Sequence, residues 1–374
     1  MFLSIFVTIL ILSFLVISHE FGHFIVAKKT GVKVEEFGIG YPPRIWGIKK
    51  GETIYSFNLI PFGGFVRLYG EERKEGEYEK DPRSFNAKSV KVKALILSAG
   101  VIMNFLVAVV IFYFLLGFSG FKSKQSLIFD YHFPFGKQEN FVLVSFVAKN
   151  SPAEKIGLKP GTIILSINNQ SVDSPEKVIQ LTNQNKGKEI LLKVKDFQSE
   201  EIRMIKVIPR ESFPQGEGPL GIGIIGMSEI SYNSFLEKMS VGFLHSANLL
   251  HYSVVVFGHL IKESFQKKNI KVLSSGVAGP IGILAMTKVT LVQGLFSVLN
   301  LLALISLALV MVNIIPFPAL DGGRLFFLVL ESVIGKKIPE KVEQKINLIG
   351  FVFLILLLIL VTIKDVSQFG KLLF

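Results

Sequence analysis

From Phe2 to Ala27 the only ionisable side chains are His19, Glu20 and His23, set in an otherwise apolar run. A run of that length can cross a bilayer, which needs about 20 apolar residues. Inside lipid the backbone satisfies its polar groups only as a helix or a closed barrel. Charged side chains there are costly unless paired or coordinated. The chain is therefore constrained twice. It must form membrane helices, and it must provide a partner for three ionisable groups within the first of them.

Three further stretches are as apolar: about Ala94 to Phe118, about Phe296 to Ile315 and about Ile346 to Ile363. The expected fold is a polytopic α-helical membrane protein with four transmembrane helices. Half of the 374 residues are hydrophobic and 34 are Phe, which agrees with membrane embedding. The first run does not read as a cleaved leader, because no Lys or Arg precedes it and no small-x-small site closes it. The net charge of +12 sits beside apolar segments, which points to the lipid bilayer and topology control and to no nucleic acid. The basic loop from Lys28 to Lys93 and the connection carrying Arg324, Lys336, Lys337, Lys341 and Lys345 are expected on the cytoplasmic side. The N-terminus and the region from about Gly120 to Leu295 then face outward.

That outer region reads in two parts. From about Asn140 to Arg210, strands at Phe141–Val147, Thr162–Ile167, Glu189–Val194 and Ile202–Val207 surround a short helix from Pro175 to Gln184 with Ser174 as its N-cap, a small α+β domain. From Asn233 to Lys262, apolar residues at helical spacing are interrupted by Lys238, His245, His251 and His259, the pattern of an amphipathic helix on the outer membrane surface or against the small domain. A fifth span there would invert the later charge asymmetry.

His19-Glu20-Phe21-Gly22-His23 is an H-E-x-x-H motif. Four residues are just over one helical turn, so both imidazoles point the same way and can share one Zn2+. Glu20 can reach a water at the metal without taking a coordination position, and a carboxylate there serves as general base. With no cysteine in the chain, any metal site must use His and carboxylate ligands. A catalytic zinc needs a third protein ligand. The candidate is Asp321, in Asn313-Ile-Ile-Pro-Phe-Pro-Ala-Leu-Asp-Gly-Gly323, where Pro316 and Pro318 break the third helix near membrane depth. An interfacial Asp also caps helices, and the residues alone leave both roles open. Asn313 has two readings as well, orientation of a substrate carbonyl or an interhelical polar contact.

These motifs resemble the site-2 protease family of intramembrane zinc metalloproteases, in its bacterial RseP/RasP-type branch. The resemblance covers nearly the whole chain: the first-helix H-E-x-x-H, the N-x-x-P-x-P-x-L-D-G motif at Asn313 to Gly322 and four spans in matching order. It also includes Ser151-Pro-Ala-Glu-Lys-Ile-Gly-Leu-Lys-Pro-Gly161, which looks like part of an inserted PDZ domain. It implies His19, His23 and Asp321 as zinc ligands, Glu20 as general base and Asn313 as substrate-facing. It implies a membrane-associated β element around Gly38-Ile-Gly40, with Ile54–Ile60 as a strand near the site. An edge strand there would hold an unwound substrate by β-augmentation, and a plain amphipathic hairpin is the other reading. Several members of that family carry two PDZ domains in tandem; here the outer region has room for one, which is closer to the single-PDZ forms. Its Gly218-Pro-Leu-Gly-Ile-Gly223 reads equally as a carboxylate loop or as a strand and turn. Ala278-Gly-Pro-Ile-Gly282 also matches a family segment, and nothing beyond a turn is expected of it.

The expected organisation is residues 1–122 for the first two helices and the β element, 123–230 for an extracytoplasmic PDZ-like domain, 231–290 for amphipathic linker helices and 291–374 for the last two helices. The function implied is cleavage, in the bacterial inner membrane, of single-span membrane proteins already shortened outside, such as anti-sigma factors or remnant signal peptides. A non-catalytic PDZ scaffold would have no need of Glu20 beside two in-membrane histidines. A metal transporter would need polar residues along successive spans, and spans two and four carry almost none.

Overall fold

The computed structural model describes residues 1–71, 81–196, 201–269, 272, 274 and 276–373. In chain order its elements are α1 (Phe2–Lys29), β1 (Val34–Lys50), β2 (Thr53–Leu68), α2 (Val90–Phe118), β3 (Lys122–Leu127), β4 (Lys137–Val147), α3 (Pro152–Lys155), β5 (Thr162–Ile167), β6 (Gln170–Ser171) and α4 (Pro175–Gln184). They continue with β7 (Ile190–Asp196), β8 (Ile202–Val207), β9 (Ile222–Ser231), α5 (Phe235–Met239), α6 (Val241–Gln266), α7 (Pro280–Gln293), α8 (Leu295–Ile314), α9 (Asp321–Ile334) and α10 (Glu340–Leu373). Two compact units result, one of Met1–Leu115 with His245–Phe374 and one of Leu116–Leu244.

The first unit is built on long apolar helices. By length and composition α1, α2, α6, α8 and most of α10 can each cross a membrane. Four were expected, and α6 is the addition. Along it His245, Ser246 and Asn248 are buried, with the His245 ring edge-on to Phe112 at 4.9 Å, while His251 and His259 are exposed. Ile11, Leu15 and Leu302 form a core shared by α1 and α8, with Val107 and Ile111 of α2 packed against it. Gly294 joins α7 to α8 at φ 104, a left-handed conformation that an L side chain rarely adopts. α8 stops at Ile314 because Pro316 and Pro318 lack the N–H groups a helix would use there. The chain then turns through Ala319, at φ 72, into α9, a helix not foreseen in the last connection.

β1 and β2 are long, bent strands that pair more than once. Trp46–Lys50 and Thr53–Phe57 form a hairpin, while Glu36–Ile39 lie between Ile54–Phe57 on one side and Gly64–Arg67 on the other. The segment expected to offer a free edge, Ile54–Ile60, is thus paired on both sides over Ile54–Phe57, and the two outer segments are Trp46–Lys50 and Gly64–Arg67. Buried Glu36 is held by Arg44 at 2.7 Å and Arg67 at 3.4 Å, which compensates a carboxylate withdrawn from water.

The Ala278–Gly282 segment has a physical role. Asp365 of α10 is fully buried, and its Oδ2 accepts from the backbone N–H of Gly279 at 2.8 Å and of Gly282 at 2.7 Å. These are the donors that the first turn of α7 cannot satisfy internally, and a carboxylate suits the positive end of the helix. Lys364 donates to the carbonyls of Ser274 and Val277 and lies 3.0 Å from Asp365 Oδ1. The fourth apolar run therefore continues as helix beyond Ile363 to a built contact.

The second unit is a seven-stranded sheet of order β3-β9-β4-β5-β7-β8, with β6 paired to β5. All four strands expected between Asn140 and Arg210 form, and β3 and β9 add to them from outside that range. Buried residues of β4, β5 and β7 (Val142, Val144, Ile164, Ile167, Ile190, Leu192, Val194) form a core with Val178 and Leu181 of α4, alternating along β4 and β7 and shifted by an irregularity in β5 between Ile164 and Ser166. Ser151 caps α3 by accepting from the Glu154 N–H at 3.1 Å, and Ser234 and Glu237 form a capping box at α5.

Candidate metal centre

Helical spacing puts His19 and His23 on one face of α1, and both are buried. Asp321, the first residue of α9, enters from the other end of the chain. His19 Nε2 lies 2.8 Å from Asp321 Oδ2, His23 Nε2 lies 3.4 Å from the same oxygen, and the two Nε2 atoms are 3.1 Å apart. A zinc bound at about 2.0–2.2 Å to each of three such atoms would hold them about 3.3 Å apart on a tetrahedron. The triangle therefore has the size of one face of a zinc coordination shell. Among the described residues this is the one group of three metal-ligating side chains so arranged.

α2 makes room for it. A methyl group on Gly100 would stand 2.5 Å from His19 Nε2 and in contact with His23 Nε2, so the missing side chain leaves open the space the two nitrogens face. Gly22, inside the H-E-x-x-H motif, lets the Ala99 backbone of α2 lie directly against α1. His23 Nδ1 donates to the Ile96 carbonyl at 2.7 Å, which fixes the ring and leaves Nε2 free as a ligand. His19 Nδ1 faces the Asn104 side chain, with Nδ2 at 3.4 Å. The donor set, two imidazoles and a carboxylate, suits zinc.

Glu20 lies within electrostatic reach of His19, His23 and Asp321 and also meets the β element. The Val66 backbone N–H donates to its carboxylate, and its Cγ lies near Gly64. Tyr41 of β1 is close by; burial and the Glu20 charge push its phenol above the usual range. One of the two outer strand segments of the β element, Gly64–Arg67, thus runs beside Glu20. Arg324, one turn after Asp321, pairs with Glu71 at 2.6 Å and so ties α9 to the chain just after β2. Asn313 stands half-buried in the last turn of α8, and no hydrogen bond among the described residues joins it to the three ligand atoms.

His19, Glu20, His23 and Asp321, the residues expected from the sequence, come together in one place. Gly100 and Asn104 were not among those expected. Their signal was a glycine and an amide four residues apart in an otherwise apolar span, where a buried polar residue needs a reason.

Comparison with known proteins places these features in a wider group. The model of Peptidase family M50 matches residues 7–357. A Clostridium perfringens protein named as a candidate zinc metalloprotease is 33% identical over 358 residues, covering 96% of this chain and 97% of its own. The zinc metalloprotease RasP of Geobacillus kaustophilus is 26% identical over 441 residues, covering 98% of each chain. Among solved structures, the PDZ domain of an SdrC-like protein from Listeria monocytogenes aligns with 22% of this chain and 85% of its own, at 20% identity and a TM-score of 0.20. Because the family match and the relatives run the length of the molecule rather than over one part of it, the chain belongs to peptidase family M50 and is a multi-pass zinc metalloprotease of a bacterial membrane.

Proposed function

We propose that His19, His23 and Asp321 are the zinc ligands, that Glu20 is the general base, and that the enzyme cuts peptide bonds of single-span membrane proteins already shortened outside, such as anti-sigma factors and remnant signal peptides, in regulated intramembrane proteolysis. The observation that carries this reading is the triangle of ligand atoms at 2.8, 3.1 and 3.4 Å, facing the space left by Gly100.

Zinc, when bound, supplies Lewis acidity toward a carbonyl and makes water acidic enough to be deprotonated near neutral pH. Glu20 takes the proton of the attacking water and delivers it to the leaving amide nitrogen. The buried surroundings of the two imidazoles keep bulk water from competing. A helical substrate hides its carbonyls in its own hydrogen bonds, so it must be held extended. Gly64–Arg67 is the outer segment of the β element that lies beside Glu20, which suits it to receive an added strand. Asn313 orients the substrate from the end of α8.

The sheet unit, within residues 123–230, is read as a PDZ-like domain outside the bacterial inner membrane that excludes substrates with bulky outer parts. Segment 1–122 carries the first two spans and 291–374 the last two. Residues 231–290, with α6, form a linker at the outer surface, which keeps the span count at four.

The test uses detergent-solubilised enzyme and a tagged single-span substrate trimmed outside. Cleavage is expected to stop on adding a zinc chelator, to return with zinc, and to fall about 10²–10⁴-fold in Glu20→Gln. Cleavage by Glu20→Gln at the unsubstituted rate would remove Glu20 from its role.

A further inference from the structure

We infer that the Asn104 side chain accepts the Nδ1 proton of His19 and thereby holds that imidazole in the tautomer whose Nε2 can bind zinc. This rests on His19 being a ligand, as proposed above, and assigns a positioning residue to that site.

The argument begins with protons. A neutral imidazole carries one N–H, and a nitrogen that binds metal must be the other one. His19 Nε2 is the atom turned to Asp321 and to His23 Nε2, at 2.8 and 3.1 Å, so the proton belongs on Nδ1. A buried N–H needs an acceptor. The group facing Nδ1 is the fully buried Asn104 carboxamide, with its Nδ2 at 3.4 Å. Two donors cannot bond each other. The oxygen of the same carboxamide is buried with no hydrogen-bond partner. A half-turn about Cβ–Cγ exchanges the two atoms, which are nearly the same size. The oxygen then gains the donor it lacks, and Nδ1–H gains its acceptor.

The helix pattern supports this assignment. Ile96, Gly100 and Asn104 recur every fourth residue, so they share one face of α2. Ile96 offers its carbonyl to His23 Nδ1, Gly100 leaves the space facing both Nε2 atoms, and Asn104 faces His19 Nδ1. One face of one helix thus serves both imidazoles. It is also anchored: Ser306 of α8 donates to the Asn104 backbone carbonyl at 2.8 Å, tying this position to the helix that leads to Asp321.

The experiment measures zinc dissociation constants of the full chain in detergent by competition with a chromophoric chelator. Asn104→Leu and Asn104→Ala remove the acceptor; Asn104→Asp keeps one. His19→Ala is the control for the ligand itself. Loss of an outer partner of a ligating histidine weakens metal binding about 10–100-fold, and that loss is expected for Leu and Ala, with Asp within about threefold of the unsubstituted chain. Nitrogen NMR of the zinc-loaded protein is expected to show His19 protonated at Nδ1. A purely packing role would lower the melting temperature of all three variants and leave the zinc constants of the folded protein together. Unchanged zinc binding in folded Asn104→Leu or Asn104→Ala, or equal weakening in Asn104→Asp, overturns the inference while the ligand reading stands. Zinc binding that His19→Ala leaves intact overturns both.

Discussion

Replacing Gly100 by Ala is a small change whose consequence can be worked out. The new methyl would stand 2.5 Å from His19 Nε2, where ordinary contact begins at 3.4 Å. The gap is short by about 0.9 Å, while a zinc site tolerates about 0.2 Å of ligand displacement. Two effects on stability oppose each other. Alanine in a helix is favoured over glycine by about 1 kcal/mol. Overpacking a filled site costs about 1–3 kcal/mol. The balance is a loss of up to about 2 kcal/mol, so the helices are expected to assemble with the two imidazoles forced apart. Zinc per chain, measured by mass spectrometry of purified protein, should fall well below one, and cleavage should fall with it. Gly117→Ala on the same helix is the control. Nothing lies within 4 Å of the methyl it would add, so zinc and activity should be retained. A Gly100→Ala protein with stoichiometric zinc and full activity would refute the claim that this space belongs to the metal.

Three further outcomes are expected. Glu20→Gln should keep its zinc and lose about 10²–10⁴-fold in cleavage rate, measured in single turnover on a tagged substrate. Asp365→Asn replaces a charged acceptor of two backbone N–H groups by a neutral one and should cost about 1–3 kcal/mol, read from chemical or thermal unfolding in detergent; unchanged stability would show that the contact with Gly279 and Gly282 does little. Glu36→Leu removes the buried carboxylate that Arg44 and Arg67 share and should loosen the β element, seen as faster amide exchange across Gly64–Arg67 while zinc stays bound.

What was legible in the sequence were the features a short stretch of chain can express by itself. Spacing along one helix announced His19, Glu20 and His23, and two prolines in an apolar run announced the break that delivers Asp321. Long apolar runs marked α1, α2 and α8 to within a few residues but only the middle of α10, and alternation marked the strands of the second unit. The contacts that complete the site lay beyond such reading, because each joins residues far apart in the chain. Asn104 belongs to a span that reads as almost uniformly apolar, and its relation to His19 exists only after α1 and α2 pack across Gly22 and Gly100. Asp365 lies just past the expected end of the last apolar run, yet it closes the start of α7 more than eighty residues earlier in the chain. The β element was foreseen, but not its order. Which segments lie outermost depends on where β1 and β2 bend, near Tyr41–Pro43 and Ile60–Gly63, and alternation alone does not reveal that.

The most direct measurement is X-ray absorption at the zinc edge on purified protein, taken with and without the substitution Asp321→Ala. The account predicts one zinc per chain with two imidazole nitrogens at about 2.0–2.1 Å and carboxylate oxygen at about 2.0–2.2 Å. In Asp321→Ala it predicts zinc lost or bound with the oxygen shell depleted. A full complement of zinc with an unchanged spectrum in Asp321→Ala would contradict it, since α9 would then contribute nothing to the metal.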